Sequence, residues 1–227
     1  MLIRKDSKYE PKTINDMFWG NAESRLRIED IVSGAEALPY CGKSAILLYG
    51  IFGTGKTTLA NLLPNAIEKG RSNEDLAIEA DFIACQQGFN GPQVMSLIER
   101  VLSKTSFNAS GLHYFVLDEV DNLTKLAQQS LKSALNTNRG IFILTTNNIS
   151  ELDKGLKDRC VLVEMNAAAV SDYLPLAKNL VSDMGVVMSD DDLLPTISAA
   201  KGSLRNLIHN VERLARRSNP PPPNIIF

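Results

Sequence analysis

Apolar residues in the first two thirds of the chain gather into short runs at 45–49, 114–117, 141–146 and 161–164. Each run is too short for a helix and shows almost no polar alternation, the pattern of a parallel strand buried on both faces. A weaker run at 76–79 predicts a further strand. Between the runs the spacing becomes helical. Leu26, Ile28, Ile31, Val32 and Ala35 predict a helix within 23–38, and Val94, Leu97, Ile98 and Val101 another over 93–102. A helix starting at Lys56 is expected to stop or kink at Pro64, whose ring lacks an N–H and clashes with the preceding turn. Another covers about 123–135, and 86–92 reads as a loop. Strands alternating with helices imply an α/β fold: a doubly wound parallel sheet with helices on both faces.

After Met165 the strand runs cease. Helical spacing covers 170–184, closed by Gly185, and then 190–200, capped by Ser189 or Asp190 with Pro195 inside. The cleanest amphipathic run is 203–217, with Leu204, Leu207, Ile208, Val211 and Leu214 on one face. The expected organisation is an αβ unit over 1–165, an all-helical unit over 166–217, and a proline-rich tail over 218–227. Such a tail cannot continue a helix and is expected to be disordered or polyproline II.

Composition changes this picture little. With 44% hydrophobic and 22% charged residues the chain has ordinary globular proportions. Its formal charge of −2 supplies no global basic field, so any nucleic-acid contact would be a local patch. Cys41, Cys85 and Cys160 lie far apart without C-x-x-C spacing, and read as reduced thiols of a cytoplasmic protein. No signal peptide is expected and no apolar run approaches 18 residues, so membrane insertion is not expected.

The candidate chemistry sits at the strand ends. Gly50-Ile51-Phe52-Gly53-Thr54-Gly55-Lys56-Thr57 has the phosphate-loop spacing G-x-x-x-x-G-K-S/T, placed between a strand and a helix as that motif requires. Glycines let backbone amides curl around phosphate oxygens, and the helix that follows, through Thr58, aims its positive end at the same anion. Lys56 supplies a point charge and the Thr57 hydroxyl a hard ligand for Mg2+. Asp118 and Glu119 follow the second apolar run: a carboxylate for the Mg2+ shell, then one able to deprotonate water. Asp121 reads as a helix cap or surface acid. Asn147 ends the next run, either to meet phosphate or water or as a turn former. Arg159 alone reads as a surface charge. Arg205 sits in a first helical turn, unfavourable for a cation unless an anion binds nearby, with an ordinary exposed arginine as the alternative. His113 and His209 look unremarkable.

In order, these blocks resemble the AAA+ ATPases, and within them the clamp-loader group. Lys8-Tyr9-Glu10-Pro11-Lys12-Thr13 with Asp16 is similar to the "KYRPKT…D" start of replication factor C small subunits. The bacterial clamp-loader motor subunit and the Holliday-junction branch-migration motor start similarly. Leu117-Asp118-Glu119-Val120-Asp121 with Ala127-Gln128 and Leu131 resembles "DEADxxxxxAQxAL". Phe142 to Asn147 followed by Lys157-Asp158-Arg159-Cys160 resembles "FILxxN…SRC", with Asp158 in place of the serine. Gly202-Ser203-Leu204-Arg205 resembles the "GDLR" block of the lid. The likeness spans about residues 5 to 217, and with only the proline-rich tail after it the module is expected to lack the clamp loaders' C-terminal collar.

The resemblance implies an ATP- and Mg2+-dependent hydrolase with a helical lid. It makes Asn147 the sensor-1 residue, Arg205 the sensor-2 arginine, and Arg159 a finger presented in trans to a neighbour's ATP. It places Tyr9 and Pro11, with Phe18 and Trp19, around adenine. The implied partners are further subunits of an oligomeric ring or arc, DNA, and a DNA-bound protein. The expected function is a clamp-loader-like switch, with a protein-remodelling or regulatory ATPase without DNA contact, or a slow nucleotide-gated scaffold, as alternatives.

Overall fold

The computed structural model describes residues 8–72, 78, 80–85 and 90–218. The αβ unit holds β1 (Ala45–Tyr49), β2 (Ala80–Ala84), β3 (His113–Asp118), β4 (Gly140–Thr146) and β5 (Cys160–Glu164). Its helices are α1 (Ala22–Ser33), α2 (Lys56–Ser72), α3 (Gly91–Leu102), α4 (Lys125–Ala134) and α5 (Lys154–Asp158). All neighbouring strands are parallel, in the order β2-β3-β4-β1-β5. The chain leaves β1 for the far edge and returns to both sides of it, so the carboxyl end of β1 is where an open α/β sheet accommodates a ligand.

Strand alternation assigns the two faces. Ala45 and Leu47 pack with Phe115, Leu117, Phe142 and Leu144 beneath the α3 and α4 residues Ile98, Ala127 and Leu131. Ile46 and Leu48 pack with Tyr114, Val116, Ile141 and Ile143 beneath Ile28, Leu59, Leu63 and Ile67 of α1 and α2. Burial of each large aliphatic side chain stabilises the fold by about 1.5–3 kcal/mol. The sheet ends are thereby held rigidly.

The sequence expectations need three corrections here. The helix from Lys56 does not stop at Pro64 but continues to Ser72. Leu59, Leu63 and Ile67, on one stripe spanning the proline, are all fully buried, and their packing outweighs the roughly 3 kcal/mol that an interior proline costs. The strand expected at 76–79 is found at Ala80–Ala84; of the expected run only Ile78 lies within the described residues. β2 is an edge strand whose residues are mostly exposed, so it lacks the apolar run that marks a buried strand. Of the expected loop at 86–92, residues 86–89 lie outside the described residues, and Gly91 and Pro92 open α3 under an Asn90–Gln93 capping box. The tail beyond Ser218 also lies outside them.

The helical unit opens with a short 3-10 turn, Val170–Tyr173, followed by α6 (Leu174–Asp183), α7 (Asp190–Ala199) and α8 (Leu204–Ser218). Tyr173, Ala177, Leu180, Leu193, Ile197, Leu207 and Val211 form its own core. The N-terminal arm crosses to it: the Phe18 ring lies 4.8 Å from that of Tyr173, and the Tyr9 hydroxyl donates to Asp183. Cys41, Cys85 and Cys160 are free thiols, and burial pushes Cys85 and Cys160 up to about 12. Among the described residues no helix is long and apolar enough to cross a membrane.

Candidate nucleotide site

The phosphate loop joins β1 to α2. Gly53 and Gly55 adopt φ of 80° and 90°, a left-handed region open to glycine. A Cβ on Gly53 would lie 2.3 Å from Ser203 Oγ, so glycine here also admits the helical unit against the loop. The joint is hydrogen-bonded, with the Leu204 amide at the start of α8 donating to Gly53 O at 2.9 Å. Thr54 is 4% exposed and its hydroxyl donates to Ile51 O, bracing the turn from within.

Lys56 opens α2 and is 6% exposed. Its ammonium donates to Gly50 O at 3.0 Å and Ile51 O at 2.6 Å. Burial lowers its pKa below the usual lysine range, while Asp121, Asp118 and Glu119 pull it back up. A desolvated cation held only by loop carbonyls is a fitting receptor for a polyanion.

The Thr57 hydroxyl donates to Asp118 Oδ1 at 2.9 Å, and the Thr145 hydroxyl donates to the same oxygen at 2.5 Å. These contacts draw the start of α2, the end of β3 and the end of β4 to one point. Thr57 and Asp118 are adjacent hard oxygens of the type that shares a hydrated Mg2+ with phosphate, so the pair fits that ion. Glu119 turns the chain sharply, with φ of 58°, and its amide donates to Thr145 Oγ1 at 2.9 Å. Asp121 does not cap α4, one of the two roles its sequence position suggested. Thr124 caps α4 through the Ala127 amide, whereas Asp121 Oδ1 is buried with no hydrogen-bond partner among the described residues.

The phosphate loop and the strand ends line one cleft of about 930 Å³ between the αβ unit and the helical unit, the size range of sites for nucleotide-sized ligands. Gly53, Gly55, Lys56, Thr57 and Thr58 form its floor, with Asp118, Glu119 and Asn147 at the strand ends. Tyr9, Pro11 and Phe18 of the arm line it with Arg205 of α8; Trp19, expected beside them, is half-buried against the α1 and α2 face of the core instead. Several liners were not assigned to the site from the sequence, Thr145, Phe52 and His209 among them. Thr145 ends an apolar run and looks like one more strand residue. Phe52, at the loop tip, is 69% exposed. His209, expected to be unremarkable, also lines the cleft; the available signal was its i,i+4 spacing from Arg205, which puts both on one helix face.

Arg159 is not in this cleft. It caps the C-terminus of α5 and precedes β5, with Nε donating to Asn136 Oδ1 at 2.8 Å and a terminal nitrogen donating to Gly155 O at 3.1 Å. Cys160 pairs with Ala45 at the start of β1. Arg159 therefore lies at the amino end of the sheet, roughly 16 Å of strand from its own phosphate loop.

A switch-point cleft floored by a phosphate loop defines a P-loop nucleotide-binding protein. Residues 46–166 match the family described as "ATPase family associated with various cellular activities (AAA)". That span is more than half of the chain, and the chain belongs to this AAA family of ATPases. Among curated relatives it is 26% identical over 208 residues to replication factor C subunit 4 of Saccharomyces cerevisiae. It is 28% identical over 213 residues to replication factor C small subunit 2 of Pyrobaculum islandicum. Each alignment covers 90% of this chain and 61% of the relative, so the chain spans about three fifths of their length. The structure of the Thermotoga maritima RuvB Holliday junction branch migration motor superposes with a TM-score of 0.66 at 18% identity, over 90% of this chain and 64% of that one. At that identity the likeness is one of fold.

Proposed function

We propose that the cleft binds ATP with Mg2+ and hydrolyses it to ADP and phosphate, as a clamp-loader-like switch acting on DNA or a DNA-bound protein assembly. The observation that carries this reading is the convergence of Lys56, Thr57, Asp118, Glu119, Asn147 and Arg205 on one cleft, with Arg159 at the other end of the sheet. In this reading Lys56 exchanges its bonds to Gly50 O and Ile51 O for phosphate oxygens. The loop amides of Gly53, Thr54, Gly55, Thr57 and Thr58 hold the remaining charge, and Tyr9 and Pro11 flank the base. Glu119 accepts a proton from water as the water oxygen bonds to the γ-phosphorus and the bridging oxygen leaves with ADP. Asn147 orients that water, and Arg205 closes from the lid onto phosphate. Mg2+, held by Thr57 and Asp118, would neutralise phosphate charge. Arg159 serves a neighbour's cleft, which makes activity depend on assembly.

The DNA component rests on the replication factor C relatives. A formal charge of −2 favours a second reading, in which the same ATPase remodels a protein partner without touching DNA.

Exchanging Lys56 and Glu119 separately tests the assignment. Lys56→Ala should abolish nucleotide binding, whereas Glu119→Gln should retain binding and stop turnover. Equal losses of ATP affinity in the two variants would defeat these roles.

A further inference from the structure

Asn122 closes the 3-10 turn Val120–Asn122 that follows Glu119, its amide donating to Glu119 O at 3.0 Å. Its side-chain nitrogen donates twice, to Glu119 Oε2 at 3.2 Å and to Cys85 O at 3.1 Å. Neither acceptor leaves room for the opposite amide orientation. A main-chain carbonyl can only accept, and an ionised carboxylate can only accept, so both require the NH2 and not the amide oxygen. Cys85 is itself fixed at the sheet end, its N–H donating to Asp118 O at 3.0 Å. The Asn122 side chain is thus anchored to the sheet by one hydrogen and reaches Glu119 with the other.

Glu119 needs that support. Its backbone is set by φ of 58° and by the bond from its amide to Thr145, but its side chain is exposed to the cleft. Among the described residues, Asn122 alone donates a hydrogen bond to its carboxylate. We propose that Asn122 is a positioning residue for the reaction, holding Glu119 Oε2 so that Oε1 is turned free to take the proton of water. The proposal rests on the assignment of Glu119 as the base. Asn122 touches neither water nor nucleotide in this scheme and acts only through Glu119.

The sharp variant is Asn122→Asp, which keeps the shape of the side chain and replaces the donor with an acceptor facing two acceptors. Asn122→Ala removes the contact without adding charge. Turnover at saturating ATP, affinity for a non-hydrolysable ATP analogue and melting temperature are measured for both, with full-length assembled protein. Base catalysis contributes on the order of 10²–10⁴ in rate, so losing part of its alignment should lower kcat at least about tenfold in both variants. Analogue affinity and KM should stay within about twofold. Wild-type kcat in Asn122→Asp would overturn the proposal, as would parallel loss of kcat, analogue affinity and melting temperature, which marks a purely structural residue. Failure of the underlying assignment looks different, since Glu119→Gln would then turn over normally whatever the Asn122 variants do.

Discussion

Thr145 carries two bonds on one hydroxyl, accepting from the Glu119 amide and donating to Asp118 Oδ1, and nothing in a run of apolar residues ending in threonine announces that. That Lys56, Thr57 and Asp118 meet in one cleft was legible because the phosphate-loop motif has a fixed spacing. Thr145 and the enclosed Oδ1 of half-buried Asp121 were not, because their surroundings come from which strand ends become neighbours in space. Glu68 is another such residue. It is 2% exposed on α2 and accepts from the Ser110 amide, the Ser110 hydroxyl and the Tyr114 hydroxyl, at 2.6, 2.6 and 2.7 Å. Burial raises its pKa, but the Ser110 and Tyr114 hydrogen bonds, with Arg71 nearby, reverse the sign and leave it below the usual value of 4.5. A carboxylate depressed in the folded state stabilises fully above its unfolded pKa and loses that contribution as pH falls through the folded one. Glu68→Ala should therefore cost about 3 kcal/mol at neutral pH, by stranding buried donors. The penalty should shrink on acidification below about pH 4.5, as seen in denaturant midpoints of both proteins. A penalty independent of pH would remove the ionised carboxylate from this account.

At the scale of elements, buried strands and amphipathic helices were readable because burial leaves a period in the sequence. The edge strand β2 and the length of α2 were not, since one lacks apolar faces and the other is decided by packing against the sheet. The joint between the phosphate loop and the helical unit was equally invisible, being made from the Gly53 carbonyl and the Leu204 amide. Gly53→Ala should lower ATP affinity at least about tenfold, through left-handed strain of roughly 1–2 kcal/mol and the clash with Ser203. Adding Ser203→Gly should restore part of that affinity by removing the clash and not the strain. Isothermal titration of the single and double variants separates the two causes; full recovery would mean that the strain is negligible.

For the whole molecule, the end of the strand runs before Met165 was legible, with β5 the last strand among the described residues, and the position of Arg159 gives the proposed assembly a direction. If the finger acts in trans, Arg159→Ala should lose most turnover, on the order of 10³-fold, while keeping its own ATP affinity. Mixing Arg159→Ala with Glu119→Gln subunits should recover part of the ATPase, because some interfaces pair an intact base with an intact arginine. Lack of recovery in particles shown by mass to contain both chains would confine Arg159 to a structural role. Duplex DNA bearing a single-strand junction should raise the ATPase rate in a salt-sensitive way. No stimulation at low salt, with the oligomer assembled, favours the protein-remodelling reading.

The separation of Arg159 from its own phosphate loop carries an arithmetic of its own. If Arg159 serves a neighbour's cleft as proposed, head-to-tail copies finish each other's clefts in one direction only. An open arc of n subunits then contains n − 1 complete sites, with an unfinished cleft at one end and an unemployed arginine at the other. Closing the arc into a ring adds one more site. Turnover per particle, set against particle mass, would count that last site and report whether the assembly is closed.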